Sequence, residues 1–205
     1  MAAKQPARKR KPPAGIEKRI VDTALEEAER VGWSEVQLSS VAARLDISLA
    51  EIESRFRDKD AVANALFDRA WQAMLQPVAD DFADWRAQDR LFFLLMRWFD
   101  ALAPHRTVAV EMLQDKLYPS HPHHWVPMIF NLSRTIHWLR DAALLDAGGR
   151  RRQVEEIGLS GLFLATLRVW ARDDSDGQAR TRDYLETRLS RADRLMARWF
   201  RGPGD

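Results

Sequence analysis

Residues 32–56 read GWSEVQLSSVAARLDISLAEIESRF, and the fold is decided by how this stretch is read. Leu38, Val41, Ala42 and Leu45 fall at i, i+3, i+4 and i+7, the spacing of one face of an α-helix. Small Ala42 lets a neighbouring helix approach closely. Asp46 then stands where a helix end most easily takes a Gly, and Asp is among the few other residues that tolerate positive φ. Ser48 with Glu51 three residues on has the pattern of a capping box and opens a second helix. Ile47, Ile52 and Phe56 supply its buried side. Upstream, Ile16, Ile20, Ala24 and Ala28 form one line with Val21, Leu25 and Val31 beside it, so Ile16–Val31 is an amphipathic helix with Glu26, Glu27 and Glu29 facing out. Gly32 ends it, and Trp33 is expected in the core. Helix, tight corner, capped helix is the helix-turn-helix pattern, whose second helix enters a DNA major groove.

Ala42, Ile47-Ser48, Ile52, Phe56 and Lys59, ahead of the apolar Ala61-Val62, resemble the N-terminal signature of the TetR family of transcriptional repressors, over about residues 16–66. The resemblance implies an all-α fold. A three-helix helix-turn-helix head at residues 16–60 follows a basic tail at 1–15 and precedes a larger helical body for ligand binding and dimerisation at 61–205. It also implies a homodimer that binds operator DNA and is released or tuned by a small hydrophobic ligand. On that reading Ser48, Leu49 and Ala50 face base edges, while Gln37, Ser39, Arg44, Arg55, Arg57 and Lys59 hold phosphates. A long helix from Lys59 through Val62, Leu66, Ala70, Ala73 and Leu75, stopped near Pro77, would connect head to body. In this family a tilt of that helix changes the spacing of the two recognition helices. The sequence departs from the family at Glu53 and Arg55, where aromatic residues (or a His at the second) usually touch the DNA backbone. Arg55 is a workable substitute, but a carboxylate at 53 is repelled by phosphates. Glu51 serves as capping partner, and a Glu also accepts a hydrogen bond from cytosine N4.

Composition narrows the options. A chain of 205 residues with 46% apolar and 30% charged residues suits a soluble globular protein with a real core. It has no Cys, which removes disulfide and thiolate chemistry and fits a reducing, cytoplasmic setting. The longest nearly apolar run, residues 157–167, is too short for a membrane span, and the basic start runs into Pro12-Pro13 where a signal peptide would be apolar. The net charge of +2 conceals an asymmetry. Residues 16–60 hold seven basic and eleven acidic side chains, whereas Lys4, Arg8, Lys9, Arg10 and Lys11 stand in a tail without an acid. That tail is expected to be disordered in isolation. It reads either as an arm toward phosphates or a minor groove, or as a solubilising tail.

The remainder reads as helices over about residues 89–103, 108–117, 126–145, 153–172 and 179–201, broken by Pro104, Pro119, Pro122, Gly148-Gly149 and the turn at 173–177. Residues 154–170 are apolar nearly all round, and Gly158 and Gly161 permit close helix approach. Such a helix needs cover on both sides. Leu159, Leu162, Phe163 and Val169, with Leu189, Leu195, Met196 and Trp199 of the last helix, are therefore the expected dimer interface, the alternative being a central helix wholly buried in a monomer. Met96, Phe99, Met112, Trp125, Phe130, Trp138 and Phe163 are candidates to line an apolar ligand cavity, or simply pack as core. His121, His123 and His124 lack a carboxylate or Cys at workable spacing, so a surface loop is expected there and no metal or other cofactor. No nucleophile–base pair, paired catalytic carboxylates or phosphate loop stands out, and no enzyme is expected.

A second resemblance competes. Gly32-Trp33-Ser34, Leu38, residues 170–175 (WARDDS), Thr181, Leu185 and Arg188-Leu189 are similar to the accessory lipid-binding proteins of ubiquinone biosynthesis, which share the TetR fold. Those dock on membranes through a C-terminal amphipathic helix. Leu195, Met196, Trp199 and Phe200 among Arg191, Arg194, Arg198 and Arg201 make a small version of one. The repressor reading is favoured because Ser48, Glu51 and Lys59 keep the family's frame.

Overall fold

The computed structural model describes residues 15–116 and 125–200, with backbone alone for 125–131. They are helical, and no strand occurs among them. The chain divides into two compact units between Ala65 and Leu66.

The first unit holds α1 (Ile16–Val31), a 3₁₀ turn at Trp33–Glu35, α2 (Leu38–Leu45), α3 (Leu49–Glu53) and the start of α4 (Lys59–Met74). Its core is Ile16, Ile20, Val21, Ala24, Leu25 and Ala28 of α1 against Trp33, Val36, Val41, Ala42, Ile52 and Phe56. Gly32 ends α1 at φ 87°, its N–H donating to the Ala28 carbonyl. This conformation swings Trp33 back under the helix, where it is almost wholly enclosed. Two expectations for α1 are corrected. Glu27 is buried, because it lies seven residues after Ile20 and three after Ala24, on the same stripe. One of its carboxylate oxygens has no hydrogen-bond partner. Val31, expected on the packed side, is exposed at the frayed end.

The second unit holds the rest of α4, then α5 (Ala87–Leu102), α6 (Arg106–Lys116), α7 (Trp125–Ala142), α8 (Gly149–Trp170) and α9 (Ala179–Phe200). Helix α5 is its axis: Leu91, Leu94, Leu95, Met96, Trp98, Phe99 and Leu102 are all buried. Val108, Ala109 and Met112 of α6, Ile136 and Leu139 of α7, Phe163 and Trp170 of α8, and Leu185 and Leu189 of α9 complete the core. Arg90 ties the entry of α5 to its surroundings, donating to the carbonyls of Ala143 (2.7 Å), Ala83 (3.0 Å) and Trp85.

Two helix ends differ from the sequence expectation. Helix α7 stops at Ala142, with Leu144 at φ 54°. The Leu145 N–H reaches the Arg140 carbonyl and the Leu144 N–H that of Asp141, a Schellman closure made without Gly. Helix α8 begins at Gly149, four residues before Gln153. Its basic first turn is supported by i,i+4 pairs, Arg151–Glu155 (3.2 Å) and Arg152–Glu156 (2.7 Å). Buried Arg140 crosses from α7 to meet Glu155 at 3.0 Å.

Candidate nucleic-acid interface

The corner between α2 and α3 is built from backbone hydrogen bonds. Asp46 adopts φ 54°, ψ 46°, the left-handed conformation expected of it. Its N–H donates to the Ala43 carbonyl and the Ile47 N–H to that of Ala42, closing α2 in a Schellman motif. Ser48 turns extended, and its Oγ accepts from the Glu51 N–H at 3.1 Å. The return half of the capping box is replaced: the Glu51 carboxylate lies 3.9 Å from the Arg55 guanidinium. Ile52, fully buried, and Phe56 anchor α3 from below. Ser48, Leu49 (52% exposed), Ala50 and Glu53 are left facing outward. A short helix held by one cap and two apolar anchors therefore presents a neutral-to-acidic surface.

The expected phosphate ligands are less free than the sequence suggests. Gln37 and Ser39 are exposed. Arg44 pairs with Glu26 of α1 at 2.7 Å and also reaches the Thr23 carbonyl at 3.4 Å. The Arg55 side chain is only 14% exposed and folds back to donate to the Glu51 carbonyl at 2.6 Å. Arg57 projects outward but pairs with Asp58 at 2.8 Å, while the other Asp58 oxygen accepts from the Ala61 N–H and caps α4. Lys59 donates to the Ser34 carbonyl at 3.0 Å, with its ammonium 4.9 Å from the centre of the Trp33 ring. Sequence reasoning placed these cations on the right unit but missed their partners. Glu26 is eighteen positions from Arg44 in the chain, so only the packing of α2 on α1 reveals the pair.

A different surface opens on the body. Between α8 and α9, floored by Ala87 and Leu91 of α5, runs a largely apolar groove of about 510 Å³. Leu159, Leu162, Leu189, Leu195, Met196 and Trp199 of the expected dimer interface line it, together with Gly158 and Gly161. Phe163 is instead buried and Val169 half-buried, both away from it. Ile157 (75% exposed), Leu164 and Trp199 (63%) stand in solvent. Among the described residues a Cβ added at Gly158 or Gly161 meets nothing within 4 Å, so no close helix approach among them accounts for either glycine.

No family model matches the chain, and neither does any curated protein. Solved structures do. A TetR transcriptional regulator from Nitrosomonas europaea ATCC 19718 is 39% identical, with 88% of this chain and 99% of that one covered and a TM-score of 0.79. This chain belongs to the TetR family of transcriptional regulators. A TetR transcriptional regulator from Rhodococcus sp. RHA1, 19% identical over 90% of this chain and 96% of that one, shares the fold with a TM-score of 0.61. The all-α architecture expected for a TetR protein, a helix-turn-helix unit followed by a helical body, is the one observed.

Within that TetR body, the residues expected around a ligand fall in different places. Met96, Phe99, Met112 and Phe163 are buried. Phe99 stacks on Phe163 at 6.0 Å between centroids, and Trp98 meets Phe163 edge-on at 5.1 Å, so these rings fill core. Trp138 is 50% exposed. The Trp125 and Phe130 side chains, and His121, His123 and His124, lie outside the described residues. None of the described ones lines the α8–α9 groove. Asp173, Ser175 and Thr181, which carried the second resemblance, form the corner between these helices. Buried Asp173 accepts from the Thr181 N–H (2.8 Å) and Oγ (2.6 Å) and from the Ser175 N–H (3.0 Å). Burial alone would raise its pKa, but these hydrogen bonds outweigh it and lower the value to about 2. Beside it the Trp170 indole donates to Gln178, whose amide donates to Asp100, and Arg182 closes on the same carboxylate at 2.7 Å. Among the described residues no helix is long and apolar enough to cross a membrane, and no group of side chains could hold a metal ion.

Proposed function

We propose that this TetR-family regulator binds operator DNA as a homodimer, with Ser48, Leu49 and Ala50 of α3 at base edges, and that a small hydrophobic ligand in its body tunes the binding. The observation that carries the reading is the segment from Ser48 to Glu53: capped, pinned by Ile52 and Phe56, and exposed on its outer side. Dimerisation through α8 and α9 is supported by the uncovered groove and by its two glycines. A helical Gly costs about 0.5–1 kcal/mol relative to Ala. Two of them in open space make sense if a second copy comes close there. A dimer would then read two half-sites one helical turn, about 34–36 Å, apart. The head is residues 16–60 and the ligand-binding and dimerising part 61–205. The DNA flanking its own gene is the first place to look for that operator. A gel-shift with that DNA at two salt concentrations tests this: specific retention that weakens steeply with salt supports the regulator.

A second reading is kept alive by one observation, the exposed Glu53 on a head whose Arg44, Arg55 and Arg57 already face carboxylates. On it the chain is a lipid-binding protein of TetR fold that does not read DNA. Sedimentation with liposomes and no DNA shift at any salt concentration would replace the first reading with this one.

A further inference from the structure

The side of α3 that would meet a duplex is short of hydrogen-bond donors. The Ser48 Oγ accepts from the Glu51 N–H at 3.1 Å, and the Ser54 Oγ donates to the Glu51 carbonyl at 3.0 Å. Arg55 donates to the same carbonyl at 2.6 Å and to the Ser54 Oγ at 3.0 Å, its side chain only 14% exposed. The Glu51 carboxylate faces that guanidinium at 3.9 Å. Glu53 is exposed, but a carboxylate accepts and does not donate. What stands outermost is carbon: Leu49, 52% exposed, and the methyl of exposed Ala50 next to it in the chain.

The base edges of a major groove ask different things of such a surface. Guanine offers two acceptors, O6 and N7, which the paired donors of Arg or Lys read. Adenine offers an acceptor beside a donor, which Asn or Gln matches. Helix α3, with the sequence LAEIE, contains none of these four residue types. The Ser48 hydroxyl keeps one O–H, and a lone hydroxyl serves either kind of partner, so it separates the bases poorly. Thymine differs from the other three in carrying an apolar group there, the C5 methyl, which apolar side chains contact. A Leu left half in solvent, on a turn anchored from below by Ile52 and Phe56, is matched to that group. The contact would take apolar surface of both partners out of water.

We propose that Leu49 reads a thymine methyl, so that each operator half-site sets a thymine opposite Leu49 and α3 recognises no guanine. The inference rests on the DNA-binding reading above and names the bases that the same surface selects. Contacts to phosphate, wherever they are made, carry no sequence information and leave this choice unchanged.

The full chain is used to select bound duplexes from a randomised pool at one fixed salt concentration, since affinity for DNA depends on salt. The enriched duplex is then rebuilt with deoxyuridine in place of one thymine at a time, which removes the methyl and keeps the base pair. Fluorescence anisotropy is expected to show binding weakened about three- to fivefold at one thymine of each half-site, the loss of one methyl from burial. The L49A variant is expected to be indifferent to deoxyuridine at that position, because the two groups of a contacting pair are coupled. An unaltered chain insensitive to deoxyuridine at every thymine, or an L49A variant that responds as the unaltered chain does, overturns the proposal and leaves the regulator in place. A selection repeated with L49Q gives a second reading. Gln matches the acceptor and donor of adenine, so the thymine at that position is expected to give way to adenine. Return of the same half-site by L49Q also overturns the proposal. A pool from which the unaltered chain enriches nothing removes the regulator reading, and this inference with it.

Discussion

On the head, Arg44, Arg57 and Lys59 end on Glu26, Asp58 and the Ser34 carbonyl. On the body, Ile157, Leu164 and Trp199 end in solvent. The first unit pairs these cations from within, and its exposed large apolar side chains, Val31 and Leu49, stand singly. The second leaves a groove of about 510 Å³ lined with Leu, Met and Trp. Exposed apolar side chains scattered singly need no explanation, but a contiguous groove of them marks a surface that something covers. The contrast is what the proposed dimer would explain: a second copy would cover the groove on the body, and the head offers no comparable apolar groove.

The strongest test of that contrast is to charge the groove. Leu162→Glu places a carboxylate among Leu159, Leu195 and Met196, where a partner copy would have to desolvate it. Loss of about 3 kcal/mol at an interface centre corresponds to more than a hundredfold weaker dimer. Sedimentation velocity across protein concentration reads this directly. An unaltered monomer–dimer equilibrium would show that the association surface lies elsewhere, and the contrast would then lose its meaning.

Next in size is the corner that delivers α9 to that face. Asp173→Ala strips acceptors from the Thr181 and Ser175 donors, and a buried group left unsatisfied costs about 1–3 kcal/mol. Denaturant unfolding should show a loss of that order. The pH dependence has a definite sign. The carboxyl's pKa is lowered from the ordinary 3.8 to about 2 in the folded chain, so its stabilisation is complete above about pH 4 and lost as pH falls toward 2. The shift is worth about 2 kcal/mol. Asp173→Asn should lack this acid step, measured by unfolding at a series of pH values. A variant with the same acid profile as the parent would assign the step to other carboxylates.

Smaller still, and sharper, are the glycines. The methyl of Ala at Gly158 or Gly161 meets nothing within 4 Å among the described residues, so each substitution should stabilise α8 by about 0.5–1 kcal/mol in a monomer. Against a second copy the added methyls would hold the helices apart. Dimer dissociation should therefore rise severalfold while monomer unfolding becomes harder. If both quantities improve together, the glycines serve no close approach at all.

Much of the head was legible in the sequence because its signals are local. The Leu38 to Leu45 stripe, Asp46 at the corner and Ser48 as cap each act within eight residues, and each stands as read. Glu27 was misplaced because a charged residue on a buried stripe looks like a surface one until the helix is packed. Leu144 at positive φ was missed because the Schellman closure there is imposed by packing and not by a Gly. The residues of the groove were partly legible: all-round apolarity marked α8, but only tertiary contacts put Phe163 into the core and left Ile157 outside it. The pairing of Arg44 with Glu26 had no sequence signal, since no periodic rule links positions eighteen apart.

The smallest expected effect asks whether the head's acidity matters at all. Glu53→Gln keeps shape and exposure and removes one negative charge from the outer side of α3. If that charge merely opposes phosphate, DNA affinity should rise two- to fivefold, about 0.5–1 kcal/mol, at ~50 mM salt. The gain should fade toward ~200 mM, because the screening length shortens from more than 10 Å to less than 8 Å. It should be equal on specific and unrelated duplexes. A carboxylate that accepts from cytosine N4 behaves oppositely: Gln then weakens the specific site by roughly 1 kcal/mol or more and leaves the unrelated duplex alone. The two outcomes differ in sign, and each assigns Glu53 a place against the DNA. No change on either duplex would mean that the segment from Ser48 to Glu53 does not meet DNA at all. In that case the head, complete in itself, has no partner for its exposed helix.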